Sequence, residues 1–231
     1  MKKHGKTILF GIYAGIAIGL GGLLNIAVNS IPFENPIWGQ LLGSLLFPVG
    51  LNLVCFLGLN LFTGKIGYVL DNKKEYLGFL GLVYIGNILG SLLFGAFCLV
   101  VFKDTGIAAK ASAISASKLI QPEFLPLMKM FAGAVLCGVL VYVAVFCYKT
   151  FKNVWLKVVG IIIPIFVFVF FKFDHCVANM FYFTFSWDYG NPLTYLNIAI
   201  VTLGNSIGAI AFNELVKAFK KLFLKNEQKN S

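Results

Sequence analysis

The stretch FDHCVANMF, residues 173–181, sets Asp174 and His175 directly behind an apolar run from Val158 to Phe171 that only Gly160 and Pro164 interrupt. Histidine titrates near neutral pH, and its ring nitrogens can donate or accept a hydrogen bond or hand over a proton. An acidic neighbour can orient such a ring or relay protons to it. Ionisable groups inside apolar segments are expensive, so they face the protein interior and mark a functional site by default. The plainer alternative is a neutral His hydrogen-bonded to an amide or to backbone. A second polar interruption, GLNLFTGKIGYVL at residues 58–70, brings Asn60, Thr63, Gly64 and Lys65 into another apolar stretch. Asn87 and Asn205 lie in YIGNILGS (84–91) and TLGNSIGA (202–209), where an amide needs a partner and can pin one helix to another.

These residues do not fit a common enzyme pattern. The chain carries no nucleophile elbow and no H-E-x-x-H. The neighbours His175 and Cys176 cannot close a zinc site by themselves. A membrane redox protein built on them would need a second ligand or nucleophile in the apolar segments. Cys55, Cys98, Cys137, Cys147 and Cys176 lie in apolar surroundings without metal spacing and read as buried small hydrophobes. His4, in a basic N-terminal stretch, reads as solvated. Neither a metal nor a cofactor is implied.

The elements that position these residues are membrane helices. Of 231 residues 59% are hydrophobic and 12% charged, and the mean hydropathy is +0.86; a soluble domain is nearer a quarter charged. A spanning helix needs ~20 mostly apolar residues. Six segments qualify, at about 7–28, 38–70, 76–102, 124–148, 155–185 and 192–223. The second and fifth are too long for one straight crossing, and each holds polar residues in its middle. The first is followed by no small-residue cleavage site with a polar mature domain, so it reads as a span and not as a cleavable signal.

The net charge is +10, and all 19 basic residues are Lys. Topology explains this better than nucleic acid does. Lys2, Lys3, Lys6, Lys73, Lys74, Lys149, Lys152, Lys157, Lys217, Lys220, Lys221, Lys225 and Lys229 all fall on one side if both termini face the cytoplasm. The loop at 103–123, with Lys103, Lys110 and Lys118, is the exception.

The two G-N-x-x-G segments are 118 residues apart, and each lies in the third span of its half. The two long interrupted spans are each the second of their half. This pattern predicts one transmembrane domain over residues 1–231. It consists of two inverted three-span repeats, at about 5–103 and 124–223, followed by a cytoplasmic tail at 224–231. Irregular backbone at membrane depth must be buried in protein or line a cavity. Each break should leave a half-helix N-terminus pointing inward, which favours an anion. The glycines of GIYAGIAIGLGG (11–22) and of both G-N-x-x-G segments suit close helix packing in any compact bundle.

LFTG, DHCVANMF, VTLGNSIG and GKTILFGIYAGIAIGLGG together resemble the formate/nitrite transporter family over essentially the whole chain. The resemblance implies pentameric channels with an aquaporin-like fold and a pore in each protomer. His175 looks like the central pore histidine, with Leu61 and Thr63 in the pore-facing loop and Asn205 nearby. Phe47 and Leu51 look like one hydrophobic constriction with Phe168. Lys6 and Lys129 look like vestibule lysines, one at each mouth. Where relatives often carry Glu before the central His, this chain has Asp174, and Asn60 stands where an acidic residue is common.

The physical logic of such a pore is simple. A bare anion crosses an apolar constriction at a cost of several kcal/mol or more, whereas its conjugate acid is neutral. The pore therefore needs cations at its mouths and a hydrogen-bond donor or proton source inside. Lysine, a hydrated point charge, suits the first task, and His175 the second. The expectation is a channel in a bacterial plasma membrane, a homopentamer, for formate, nitrite, hydrosulfide or a short carboxylate. The alternative is an aquaporin-like pore for neutral solutes, although the paired N-P-A boxes of water pores are absent.

Overall fold

The structure is a computed structural model that describes residues 3–230, with side chains described for residues 4–222. The side chains of Lys2, Lys3, Lys225 and Lys229 lie outside the described residues. Among the described residues the fold is helical, with no strand. The long helices are α1 (Lys3–Asn29), α4 (Glu75–Val101), α6 (Phe124–Thr150) and α9 (Pro192–Asn230). Shorter ones are α2 (Pro36–Leu46), α3 (Val49–Phe56), α5 (Gly106–Ala116), α7 (Val154–Phe170) and α8 (Cys176–Ser186). Stretches long and apolar enough to cross a membrane number five among the described residues: His4–Asn29, Pro36–Phe56, Glu75–Val101, Phe124–Thr150 and Pro192–Leu222. Val154–Phe170 is apolar but shorter.

Local sequence accounts for where the short helices begin. Asn35 accepts a hydrogen bond from the Ile37 N–H and Pro36 follows it, a favourable N-terminus for α2. Asn153 accepts from the Trp155 and Leu156 N–H groups at the start of α7. Helix α7 stops at Phe170, and Lys172 adopts φ 58°, a left-handed conformation that ends a helix. Residues 173–175 are non-helical, and α8 restarts at Cys176. Residues 176–185 are all buried, so α8 is surrounded by protein on every side. Between α3 and the 3₁₀ turn at Ile66–Asp71, residues 57–65 form a non-helical loop.

The bundle is held by close helix pairs, α1 on α4 and α6 on α9. At both, glycine is a steric requirement. A Cβ on Gly90 of α4 would lie 2.1 Å from the Ile12 carbonyl oxygen of α1, and one on Gly208 of α9 would lie 2.0 Å from the Val135 carbonyl oxygen of α6. These glycines end the two G-N-x-x-G segments, so each motif sits at a backbone-to-backbone contact. The 103–123 connection, read from sequence as a loop, contains α5. Its N-cap Thr105 accepts from the Ala108 N–H. Ser115 of α5 donates to the Asp188 carboxylate, which ties α5 down near the end of α8.

Candidate functional site

The two motif asparagines each anchor a non-helical segment. Asn87 Oδ1 accepts from the Phe62 N–H at 2.8 Å, and its Nδ2 donates to the carbonyls of Asn60 at 2.8 Å and Gly11 at 2.9 Å. Asn205 does the same for the other segment. Its Oδ1 accepts from the Cys176 N–H at 3.0 Å, and its Nδ2 donates to the carbonyls of Asp174 at 2.9 Å and Ala134 at 2.8 Å. Both side chains are fully buried, and their amide atoms are satisfied by backbone groups. Tyr84 and Thr202, residues at equivalent places in the two motifs, hydrogen-bond to each other at 2.8 Å.

These anchors bring Thr63 and His175 together. His175 is the N-cap of α8, and its Nδ1 accepts from the Ala178 N–H at 3.2 Å. The hydrogen of the neutral ring therefore sits on Nε2, which donates to Thr63 Oγ1 at 2.8 Å. His175 is 2% exposed and Thr63 1%. Asp174 turns the other way. Its Oδ1 accepts from Lys118 Nζ at 2.6 Å and from Asn179 Nδ2 at 2.9 Å. Asn179 Nδ2 also donates to Asn197 Oδ1, and Asn197 Nδ2 donates to the Lys118 carbonyl. The pair Lys118–Asp174 is thus fixed by buried amides from α8 and α9.

Two cavities flank this arrangement. The larger, about 320 Å³, is floored by His175, Phe47 and Phe168. Phe47 and Phe168 meet edge to face at 5.5 Å between ring centres, and Phe168 lies 6.0 Å from the His175 ring. Its walls carry the amides Asn25, Asn29, Gln40 and Asn179 and the lysines Lys110, Lys118 and Lys172. The smaller, about 150 Å³, is lined by Val54, Leu59 and Leu61 and by Lys65 and Lys149. The Thr63–His175 bond therefore links the floor of the large cavity to the loop that walls the small one.

The expected site residues separate into groups. His175 and Thr63 meet at a buried hydrogen bond, Asn205 holds the backbone on either side of His175, and the Asp174 side chain turns away to Lys118. Phe47 and Phe168 form the contact described, and Leu61 lines the opposite cavity. Leu51 is buried on α3 and lines neither cavity. Lys6 is exposed, with its Nζ 5.6 Å from the Phe10 ring centre. Lys129 is exposed on α6 and lines neither cavity. Lysines 110, 118 and 172 line the large cavity instead. Sequence reasoning passed over Lys118, although it belongs to the one lysine-bearing loop that breaks the charge pattern. It also passed over Asn179, in the first turn of α8, whose amide reaches back to the Asp174 carboxylate.

A buried His–Thr contact between two lysine-bearing cavities, in a bundle of apolar helices, is the layout of a membrane transport protein. The formate/nitrite transporter family model matches residues 1–219, and the chain belongs to that family, whose members are transporters rather than enzymes. It is 33% identical over 230 residues to the uncharacterized transporter YrhG of Bacillus subtilis (strain 168), covering 91% of this chain and 83% of that one. It is 30% identical over 238 residues to a probable formate transporter of Methanothermobacter thermautotrophicus, covering 90% of this chain and 86% of the relative. Among solved structures, a pentameric formate channel with formate bound matches with a TM-score of 0.81 at 27% identity, covering 96% of this chain and 98% of that one.

Proposed function

We propose that this protein is a channel for small monovalent weak-acid anions, with formate, nitrite and hydrosulfide as its candidate substrates, and that they pass its constrictions as undissociated acids. The observation that carries the reading is His175 Nε2–H held on Thr63 between the two cavities. An anion is drawn into the large cavity by Lys110 and Lys172, since Lys118 is paired with Asp174. It takes up one proton, which His175 hands over and regains from solvent, before the aromatic contact of Phe47 and Phe168, because a neutral acid avoids the desolvation penalty of an ion. Leu61 and Leu51, both buried, exclude hydrated ions. Asp174, held by Lys118, orients the backbone at the α8 start. Lys6 and Lys129, both exposed, add long-range attraction at the two mouths.

In this reading the chain is one transmembrane domain of six spans in two inverted repeats. Residues 38–70 form the interrupted second span, and residues 155–185 the fifth. The matching bonds of Asn87 and Asn205 and the Tyr84–Thr202 contact support that symmetry. The membrane is a bacterial plasma membrane with both termini cytoplasmic, an orientation that the lysine distribution favours. The solved pentameric relative supports a homopentamer with one pore per protomer. The test is uptake by proteoliposomes of formate, nitrite and hydrosulfide over about pH 5 to 8. Uptake of at least one anion that rises as pH falls is expected. Water or ammonia flux with no anion flux would favour the neutral-solute pore instead.

A further inference from the structure

Three lysines gather at the smaller cavity, and among the described residues none of them is paired with a carboxylate. Lys65 and Lys149 line it, and Lys157 holds its Nζ 4.8 Å from the ring centre of Tyr148, another lining residue. Lys149 Nζ lies 3.7 Å from the Tyr68 ring centre, and Lys65 Nζ 5.8 Å from that of Phe79. Aromatic faces attract a cation but leave its charge in place. Among the described residues the ion pairs are Lys118–Asp174 and those of Lys217 with Asp71 and Glu214, so none involves these three lysines. Among the described residues, excess positive charge therefore surrounds a space of about 150 Å³ whose other wall, Val54, Leu59 and Leu61, is apolar.

We propose that this cavity binds a small divalent oxyanion of the inorganic phosphate class, which closes the pore from the cytoplasmic side; the inference rests on the channel reading. A permeating monovalent anion must bind weakly enough to leave, and one cation at a mouth suffices to attract it. A cluster of three lysines holds a doubly charged anion far better, because attraction scales with the product of the charges. Lysine binds phosphate as a point charge, without the fork geometry of arginine. The divalent ion would need two protons to become neutral, whereas a weak monovalent acid needs one. It therefore stays at the Leu61 side and does not follow the substrate through.

Cys55 lines the same cavity and is partly exposed, so it reports the local potential without any need for transport. The full-length protein in phosphatidylcholine nanodiscs would be treated with the anionic sulfonatoethyl or the cationic trimethylammonium-ethyl methanethiosulfonate. Peptide mass spectrometry would follow Cys55. The anionic reagent is expected to react roughly tenfold faster, the attraction of several lysines at short range. Inorganic phosphate should slow it severalfold against chloride at equal ionic strength. Lys149→Gln with Lys157→Gln should abolish both effects, and Lys149→Arg with Lys157→Arg should keep them. Equal rates for the two reagents, or no protection beyond that of chloride, would overturn the site. Protection by phosphatidylglycerol without added phosphate would name a lipid headgroup as occupant and overturn the free oxyanion. If Cys55 resists both reagents, equilibrium dialysis of radiolabelled phosphate decides, and no saturable binding lost in the glutamine variant sinks the proposal. Intact labelling in a protein that passes no anion would defeat the channel reading while leaving the binding site standing.

Discussion

His175 divides its work between two ring nitrogens: Nδ1 caps α8 and Nε2 reaches Thr63. The structural share can be separated from the chemical one. His175→Ala removes the cap and should lower stability by about 1 kcal/mol, whereas His175→Asn keeps a good capping side chain and should restore most of that loss. Thermal unfolding in detergent reads the difference. The Lys118–Asp174 pair is similarly exposed to single changes, because its side chains are 12% and 13% exposed. Lys118→Met strands a buried carboxylate and should cost about 3–5 kcal/mol, while the double change Lys118→Met with Asp174→Asn should recover most of it. If the double variant is no better than the single one, the carboxylate is not what the lysine holds. The lysine was hard to see in sequence for a physical reason. Its partner lies 56 residues away, and only the packing of α5 beside α8 joins them. Asp174 and His175 were legible because an ionisable pair after an apolar run is conspicuous whatever the fold.

At the scale of elements, the G-N-x-x-G segments do two things at once. Their glycines admit a neighbouring backbone, and their asparagines fasten the non-helical stretches at residues 60–62 and 174–176. Gly208→Ala should push α9 off α6 and destabilise by about 1–3 kcal/mol or prevent assembly. Gly81→Ala in α4 should be tolerated, since a Cβ there meets nothing within 4 Å. Expression and unfolding temperature of the two variants check this contrast. The 3₁₀ turn at Ile66–Asp71 is latched to α9 by Asp71, which pairs with Lys217 and accepts from Asn213 Nδ2. Burial raises the Asp71 carboxyl, but hydrogen bonds from Lys217 and Asn213 outweigh it and hold the group below the usual carboxylate range. A lowered folded value makes the latch fully effective above about pH 4, the unfolded value, and weakens it as pH falls through the folded one. The stability gap between wild type and Asp71→Asn should accordingly be open at neutral pH and close below about pH 4. A gap that widens in acid would contradict the assignment. Helix α5 escaped sequence reading because eight of its 11 residues are Ala, Ser or Gly, which carry almost no apolar periodicity in a connection. The long apolar helices were plain from hydropathy alone.

For the whole molecule, family membership and the channel class follow from motifs spread over the full chain, while assembly and orientation follow from surfaces that one chain does not display. Native mass spectrometry in detergent should find five copies of the 25.4 kDa chain; a stable monomer that conducts would remove the pentamer from the account. The central claim is that His175 ties proton chemistry to passage through the pore. The most direct measurement is formate uptake by proteoliposomes over about pH 5 to 8, comparing wild type with the cap-retaining His175→Asn. The account predicts wild-type uptake that rises as pH falls and a variant that folds but has lost that pH dependence. A variant that folds and keeps the wild-type pH profile would contradict it and leave His175 as a helix cap.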